Sequence, residues 1–352
     1  MQIARVEVTP IELKMHHPAR MANLTLDSIV AVFIRMETRM GQNAWGCAVA
    51  HPDLTGEKPK DLLHACQVGA SLVPDLHPLN LEYTLTELAK FIGHKSAALC
   101  AFDLAFHDLL GLAADMPLYR MLGGYRNRIQ TSVTIPISPV DESVEIARSH
   151  ARNGFRMFKV KGGVNPEEDV RRINAIHSAL PTIIIRLDAD EGYTVQQALD
   201  VARALSGSIE MLEQPTRGGD NESLAQVSRF SPIPILADQS VTDPESALKL
   251  AAKGAVKGFS VKVAACGGLR CARQMDAIAR AAQMITMVGC LVEPGLLISA
   301  GLSFALSSAN VQYCDLDGHL DLINDPTRAG FKLEEGWLIA QDVPGLGCTV
   351  IL

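Results

Sequence analysis

Three apolar runs in this chain end in acids: IIIRLDAD carries Asp188, MLEQP carries Glu213 and ILADQS carries Asp238. Hard oxygen donors with no histidine or cysteine beside them suit Mg²⁺, with positions left over for water and a substrate oxygen. One strand-end acid alone would as readily cap the next helix or pair with a lysine. Three in succession point to a metal, because buried carboxylates without a cation are costly. Lysines inside strands are the second oddity: Lys159 and Lys161 in KVKG, and Lys262 in SVKVA. Side chains two apart share a face, so Lys159 and Lys161 point the same way. A metal between Lys161 and Lys262 would hold a substrate carboxylate and stabilise the enediolate left when the α-proton departs. Beside a dication and another ammonium a lysine pKa should fall, making it a usable base. Lys159 suits structural pairing with an acid, or electrostatic assistance.

These residues need a scaffold that brings strand ends together. From about residue 130, short apolar runs alternate with helical stretches: SVTIPI, MFKVKG, IIIRLDAD, IEMLEQP, IPILADQS, GFSVKVA, ITMVGC and VQYCDLD. Their spacing of roughly 25 residues matches a (β/α)8-type barrel, whose chemistry sits at the C-terminal ends of its strands. Lys159 and Lys161 then end strand two, and Asp188, Glu213 and Asp238 end strands three, four and five. Lys262 ends strand six, and Asp315 and Asp317 end strand eight. The first third runs differently, with strands up to about Ala50 and helices from Lys60 to Leu122, which predicts a separate α+β unit.

Charged residues are 20% and hydrophobic ones 48%, so the 352-residue chain should fold fully, with a sizeable core. A net charge of -7 and the lack of a basic cluster exclude a nucleic-acid surface. The run Val170-Arg171-Arg172 suggests a solvated helix face. The eight cysteines form no CxxC pair, which predicts reduced thiols. With no signal-peptide layout at MQIARVEVTPIEL and no apolar run long enough to span a bilayer, a cytoplasmic protein without membrane partners is expected.

The segments KVK, DAD, EQP, ADQS and VKV, in that order and spacing, resemble the muconate lactonizing enzyme branch of the enolase superfamily. The resemblance extends to PLYRMLGGYR and to the tail GWLIAQDVPGLG. It implies an α/β fold, a modified (β/α)7β TIM-type barrel over 126–320. It further implies an α+β capping domain over 1–125, completed by the tail at about 321–352. One Mg²⁺ per subunit and lysine bases acting through an enediolate are also implied, as is a symmetric homo-oligomer. No histidine lies between His177 and His319, which sets the mandelate racemase type aside. The segment DLDGHL resembles dipeptide epimerases, where Asp315 and Asp317 bind the substrate's α-ammonium; acceptors held together suit such a group. MVGCLVEPGLLISAG, with Glu293, resembles the same enzymes.

Thr134, Asp190, Gln239 and Glu293 complete the expected substrate contacts. Asp190 stands where the family usually has Asn, and Gln239 where it usually has Glu. Leu24 aligns with an arginine that reads the glutamate side chain in Ala-Glu epimerases, so an L-Ala-Glu substrate is disfavoured. Loops around Met21–Leu24 and His51–Glu57 would close over the mouth, where His16, His17 and His51 come within reach of substrate.

The leading expectation is a 1,1-proton transfer at a carbon α to a carboxylate, on a dipeptide or amino acid derivative. Lys161 and Lys262 act from opposite faces. The same enediolate would also serve a dehydratase or cycloisomerase. A metal-binding barrel without catalysis is the reading of a different class.

Overall fold

The computed structural model describes residues 2–20 and 25–352. Ile3–Arg20, Thr25–Thr38 and Asn43–Val49 form a three-stranded antiparallel sheet. Gly41, at φ +81, makes the expected turn between the second and third strands. Helices Pro59–Leu72 and Ser96–Ala113 pack on this sheet, and Leu81–Phe91 packs against those two helices. Of the pair on the sheet, Ser96–Ala113 lies nearest the third strand. Ser96–Ala113 comes so close that a β-carbon on Gly46 would lie 1.8 Å from the Ala101 carbonyl oxygen. Only glycine permits that approach.

All eight predicted barrel strands form: Val133–Ile135, Met157–Lys161, Ile184–Asp188, Met211–Glu213, Ile235–Ala237, Gly258–Lys262, Ile285–Gly289 and Val311–Cys314. They make one parallel sheet in sequence order. Ser132 N donates to Cys314 O at 3.1 Å, bringing the first strand beside the eighth. A helix follows each of the first seven strands and none follows the eighth, which is the (β/α)7β pattern. The strands are near-continuous apolar runs because both faces are covered; Met157–Val160, for example, is buried throughout. The helices start on local signals. Asn165 accepts from Glu167 N and Glu168 N with Pro166 in the first turn, and Thr194 and Asp243 form capping boxes.

After the eighth strand the chain returns to both units. Phe331–Glu334 and Trp337–Ala340 add antiparallel strands to Arg128–Gln130. Ile323 N donates to Lys14 O at 2.9 Å and Leu118 N to Gly345 O at 2.8 Å. The cysteines are all free, as their spacing predicted. Ser96–Ala113 departs from expectation: its 18 residues, with mean hydropathy 1.4, are long and apolar enough to cross a bilayer. Its Asp103, His107 and Asp108 are buried within the fold, and 78% of the span is covered.

Candidate active site

The parallel register lines the predicted residues along one rim. Lys161 pairs with Asp188 and Asp188 with Glu213, each the last residue of its strand. Asp238 follows the fifth strand directly and Lys262 ends the sixth. Lys159 Nζ sits 2.8 Å from Asp188 Oδ2, 3.1 Å from Glu213 Oε2 and 2.7 Å from Asp315 Oδ2. Lys161 Nζ contacts Asp188 Oδ2 at 2.9 Å and Asp190 Oδ2 at 3.0 Å. Lys262 Nζ pairs with Asp238 Oδ1.

The electrostatics follow from packing these charges away from water. Burial opposes the charge of Lys159, but Asp188, Asp315 and Glu213 outweigh it and hold the pKa well above the ordinary value. Lys161 is raised in the same way by Asp188 and Asp190, and Lys262 by Asp238. Burial and then the Asp188 charge raise Glu213. Burial raises Glu293 to about 8.

Among the described residues no three acidic, imidazole or thiol side chains close tightly enough to form a metal cage; lysine ammonium groups lie against the acids. The donor set nevertheless fits a divalent cation. Glu213 Oε1 is buried with no partner, Oε2 meets only the Lys159 ammonium, at 3.1 Å and outside hydrogen-bond geometry, and the carboxyls at the rim outnumber the lysines. An oxygen-only set with excess negative charge and orphaned lone pairs is what Mg²⁺ satisfies.

The remaining predicted residues gather at the same rim with distinct surroundings. Asp315 is fully engaged: Oδ2 takes Lys159, and Oδ1 accepts from Ser132 Oγ at 2.8 Å. Asp317 Oδ2 accepts from Thr134 N at 2.6 Å, and its Oδ1 faces Cys290 Sγ at 3.8 Å. Gln239 Nε2 donates to Asp190 Oδ1 at 3.3 Å, so these two side chains touch each other. Glu293 is buried and accepts from Leu291 N at 3.2 Å. Leu24 and the loop Met21–Leu24 lie outside the described residues. The other capping loop reaches the site: Leu54 lines a small cleft with Asp238, Ser260 and Lys262. His51 is partly buried, and burial and the Lys262 charge lower its pKa. His16 and His17 are exposed.

Some residues escaped the sequence reading. Gln214 is wholly buried; its Oε1 accepts from Asp238 N at 2.8 Å and its Nε2 donates to Ser240 Oγ at 2.9 Å. It stitches the loop after Glu213 to the loop holding Asp238. The glutamine in EQP was its only signal. Arg172 corrects the solvated-face expectation: it is 3% exposed and donates to Asp169 Oδ1 at 2.6 Å, whereas Arg171 stays in solvent. A charge run on a helix shows no difference between the arginine that faces out and the one that turns in.

Comparison with known proteins agrees with this geometry. Residues 3–123 match the mandelate racemase / muconate lactonizing enzyme N-terminal domain, and residues 142–351 the enolase C-terminal domain-like family. An L-Lys-D/L-Arg epimerase from Desulforapulum autotrophicum is 32% identical, over 99% of this chain and 99% of its own. A dipeptide epimerase from Enterococcus faecalis, solved with Mg and L-Leu-L-Tyr, has a TM-score of 0.96 and 31% identity, covering 99% of this chain and 100% of that one. Another from Methylococcus capsulatus, solved with Mg and L-Arg-D-Lys, has a TM-score of 0.94 and 33% identity, with coverage of 99% and 100%. The chain belongs to the mandelate racemase / muconate lactonizing enzyme family of the enolase superfamily. It is an isomerase of that family, most like its dipeptide epimerases.

Proposed function

We propose that this chain is a Mg²⁺-dependent dipeptide epimerase that moves the α-proton of the C-terminal residue from one face of the carbon to the other. The observation that carries the reading is the placement of Lys161 and Lys262 at the ends of strands two and six, with Asp188, Glu213 and Asp238 on the strand ends between them. Those three acids would hold the ion, which when bound supplies Lewis-acid stabilisation of the charge that develops on the substrate carboxylate.

Lys161 takes the proton on one face and Lys262 delivers one on the other, with the roles exchanged for the opposite stereoisomer. In each direction one lysine begins neutral and the other charged. Lys159, locked among three carboxylates, contributes fixed positive charge to the rim. Glu293 keeps its proton near neutral pH and so can donate a hydrogen bond to a carboxylate oxygen. Asp317 takes the substrate's free α-ammonium, with Asp315 behind it as the partner of Lys159. Thr134, Asp190 and Gln239 line the substrate's path between the two lysines, and Leu24 is the position assigned to reading the side chain. The domain division is part of the reading: a cap over 1–125, completed by about 321–352, closes on a barrel over 126–320. So are a cytoplasmic location, favoured by the free thiols, and a symmetric homo-oligomer, which sedimentation would check.

The test is α-proton exchange in D₂O with Mg²⁺, followed by NMR across cationic, apolar and acidic dipeptides. Deuterium at the C-terminal α-carbon with formation of the other stereoisomer supports the reading. An alkene formed from hydroxy acids, with no dipeptide exchange, would replace it with the dehydratase.

A further inference from the structure

Beneath Lys161 lies a buried polar cluster that neither metal nor substrate chemistry accounts for. Asp169, Arg172 and Tyr193 are 3%, 3% and 4% exposed. Asp169 Oδ2 accepts from Tyr193 Oη at 2.5 Å and from Gly163 N at 2.9 Å, and its Oδ1 accepts from Arg172 Nη2 at 2.6 Å. The same Arg172 nitrogen donates to the Lys161 carbonyl oxygen. Lys161 and Gly163 are thus both tied to one carboxylate, Lys161 through Arg172 and Gly163 directly. Between them, Gly162 N donates to Asp188 O at 2.8 Å.

The arrangement leaves little slack. A β-carbon on Gly162 would lie 2.8 Å from Asp169 Oδ2, and one on Gly163 2.0 Å from the Ala189 carbonyl oxygen. Among the described residues none of these hydrogen bonds reaches Lys262, whose ammonium is held by Asp238.

We propose that Asp169, Arg172 and Tyr193 are positioning residues for Lys161, holding the backbone at Lys161–Gly163 so that its ammonium is aimed at one face of the substrate carbon. This rests on the two-lysine reading above. Its consequence is an asymmetry: damage to the cluster impairs proton transfer on the Lys161 face and spares the Lys262 face. A general loss of fold would slow both.

Two measurements on the full-length protein test it. In D₂O with Mg²⁺, initial deuterium incorporation is followed for L-Arg-L-Lys and L-Arg-D-Lys, and for L-Leu-L-Tyr and L-Leu-D-Tyr. The stereoisomer that stops exchanging in Lys161→Ala marks the Lys161 face. Tyr193→Phe should slow that stereoisomer by about tenfold or more and leave the other within about twofold, since small misplacements of a reacting group are costly. Equal slowing of both, or of neither, overturns the proposal. The second measurement does not depend on turnover: backbone hydrogen exchange over 157–163 should quicken in Tyr193→Phe while the Gly258–Lys262 strand keeps its protection. Unchanged protection at 157–163 overturns the positioning role even if no dipeptide proves to be a substrate. Failure of all dipeptides to exchange in the wild type sinks only the epimerase reading. Arg172→Lys serves for both measurements if Tyr193→Phe does not fold.

Discussion

Glu213 is the least satisfied of the three acids: its neighbours on either side each accept a hydrogen bond from a lysine, while it has only an ion-pair contact from Lys159 to Oε2 and nothing at Oε1. Glu213→Gln should weaken Mg²⁺ binding by at least about tenfold in a calorimetric titration, because even indirect support of a metal commonly carries that much affinity. An unchanged affinity would place the ion elsewhere. A second residue-scale consequence concerns pH. Burial lowers His319 to about 4, against a weaker opposing pull from Asp325, and its Nδ1 has no partner. The unfolded chain therefore takes up this proton first. Stability from the neutral imidazole is complete above the unfolded value near 6.5 and is lost as pH falls toward 4, by roughly 3 kcal/mol. His319→Gln should flatten that part of a urea-denaturation pH profile. At this scale the sequence was legible where a charged residue interrupts an apolar strand, as at Lys161, Asp188 and Lys262. It was opaque where two identical acids differ only in their neighbours. Asp315 and Asp317 look alike in DLDGHL, yet Asp315 is taken by Lys159 and Ser132.

At the scale of elements, the loops after strands two and three interlock at glycine. Gly163 has φ +97, and a β-carbon on Gly192 would lie 2.0 Å from the Gly163 carbonyl oxygen. Gly163→Ala should therefore cost more than the roughly 1 kcal/mol of a left-handed alanine alone, and should lower activity more than stability. Melting and turnover measured side by side would show it. Nearby, Asp190, Glu191 and Gln214 also have positive φ, backbone strain collected where the acids are displayed. Helix starts, by contrast, were written openly. Thr194→Ala, which opens a capping box, should cost about 1 kcal/mol and leave turnover unchanged. The strands and helices were legible because their period and caps are local. The loop conformations were not, because they depend on what each loop meets across the rim.

For the whole molecule, buried acids on one helix fasten the N-terminal elements to the barrel and the tail. Asp103 accepts from Leu269 N at 2.6 Å, at the start of a barrel helix. Asp108 accepts from Trp45 N at 2.8 Å and from the tail's Leu346 N at 2.7 Å. Asp108→Ala would leave one buried and one half-buried donor unmet and should destabilise the chain by about 3 kcal/mol in chemical denaturation. This clasp was invisible in sequence, because its partners lie far along the chain.

The most direct test of the two-lysine account is stereospecific α-proton exchange in Lys161→Ala and Lys262→Ala, in D₂O with Mg²⁺ and a dipeptide that the wild type epimerises. The account predicts that each variant loses epimerisation but still exchanges one stereoisomer, and that the two variants keep opposite ones. Loss or retention of both stereoisomers in either variant would contradict it.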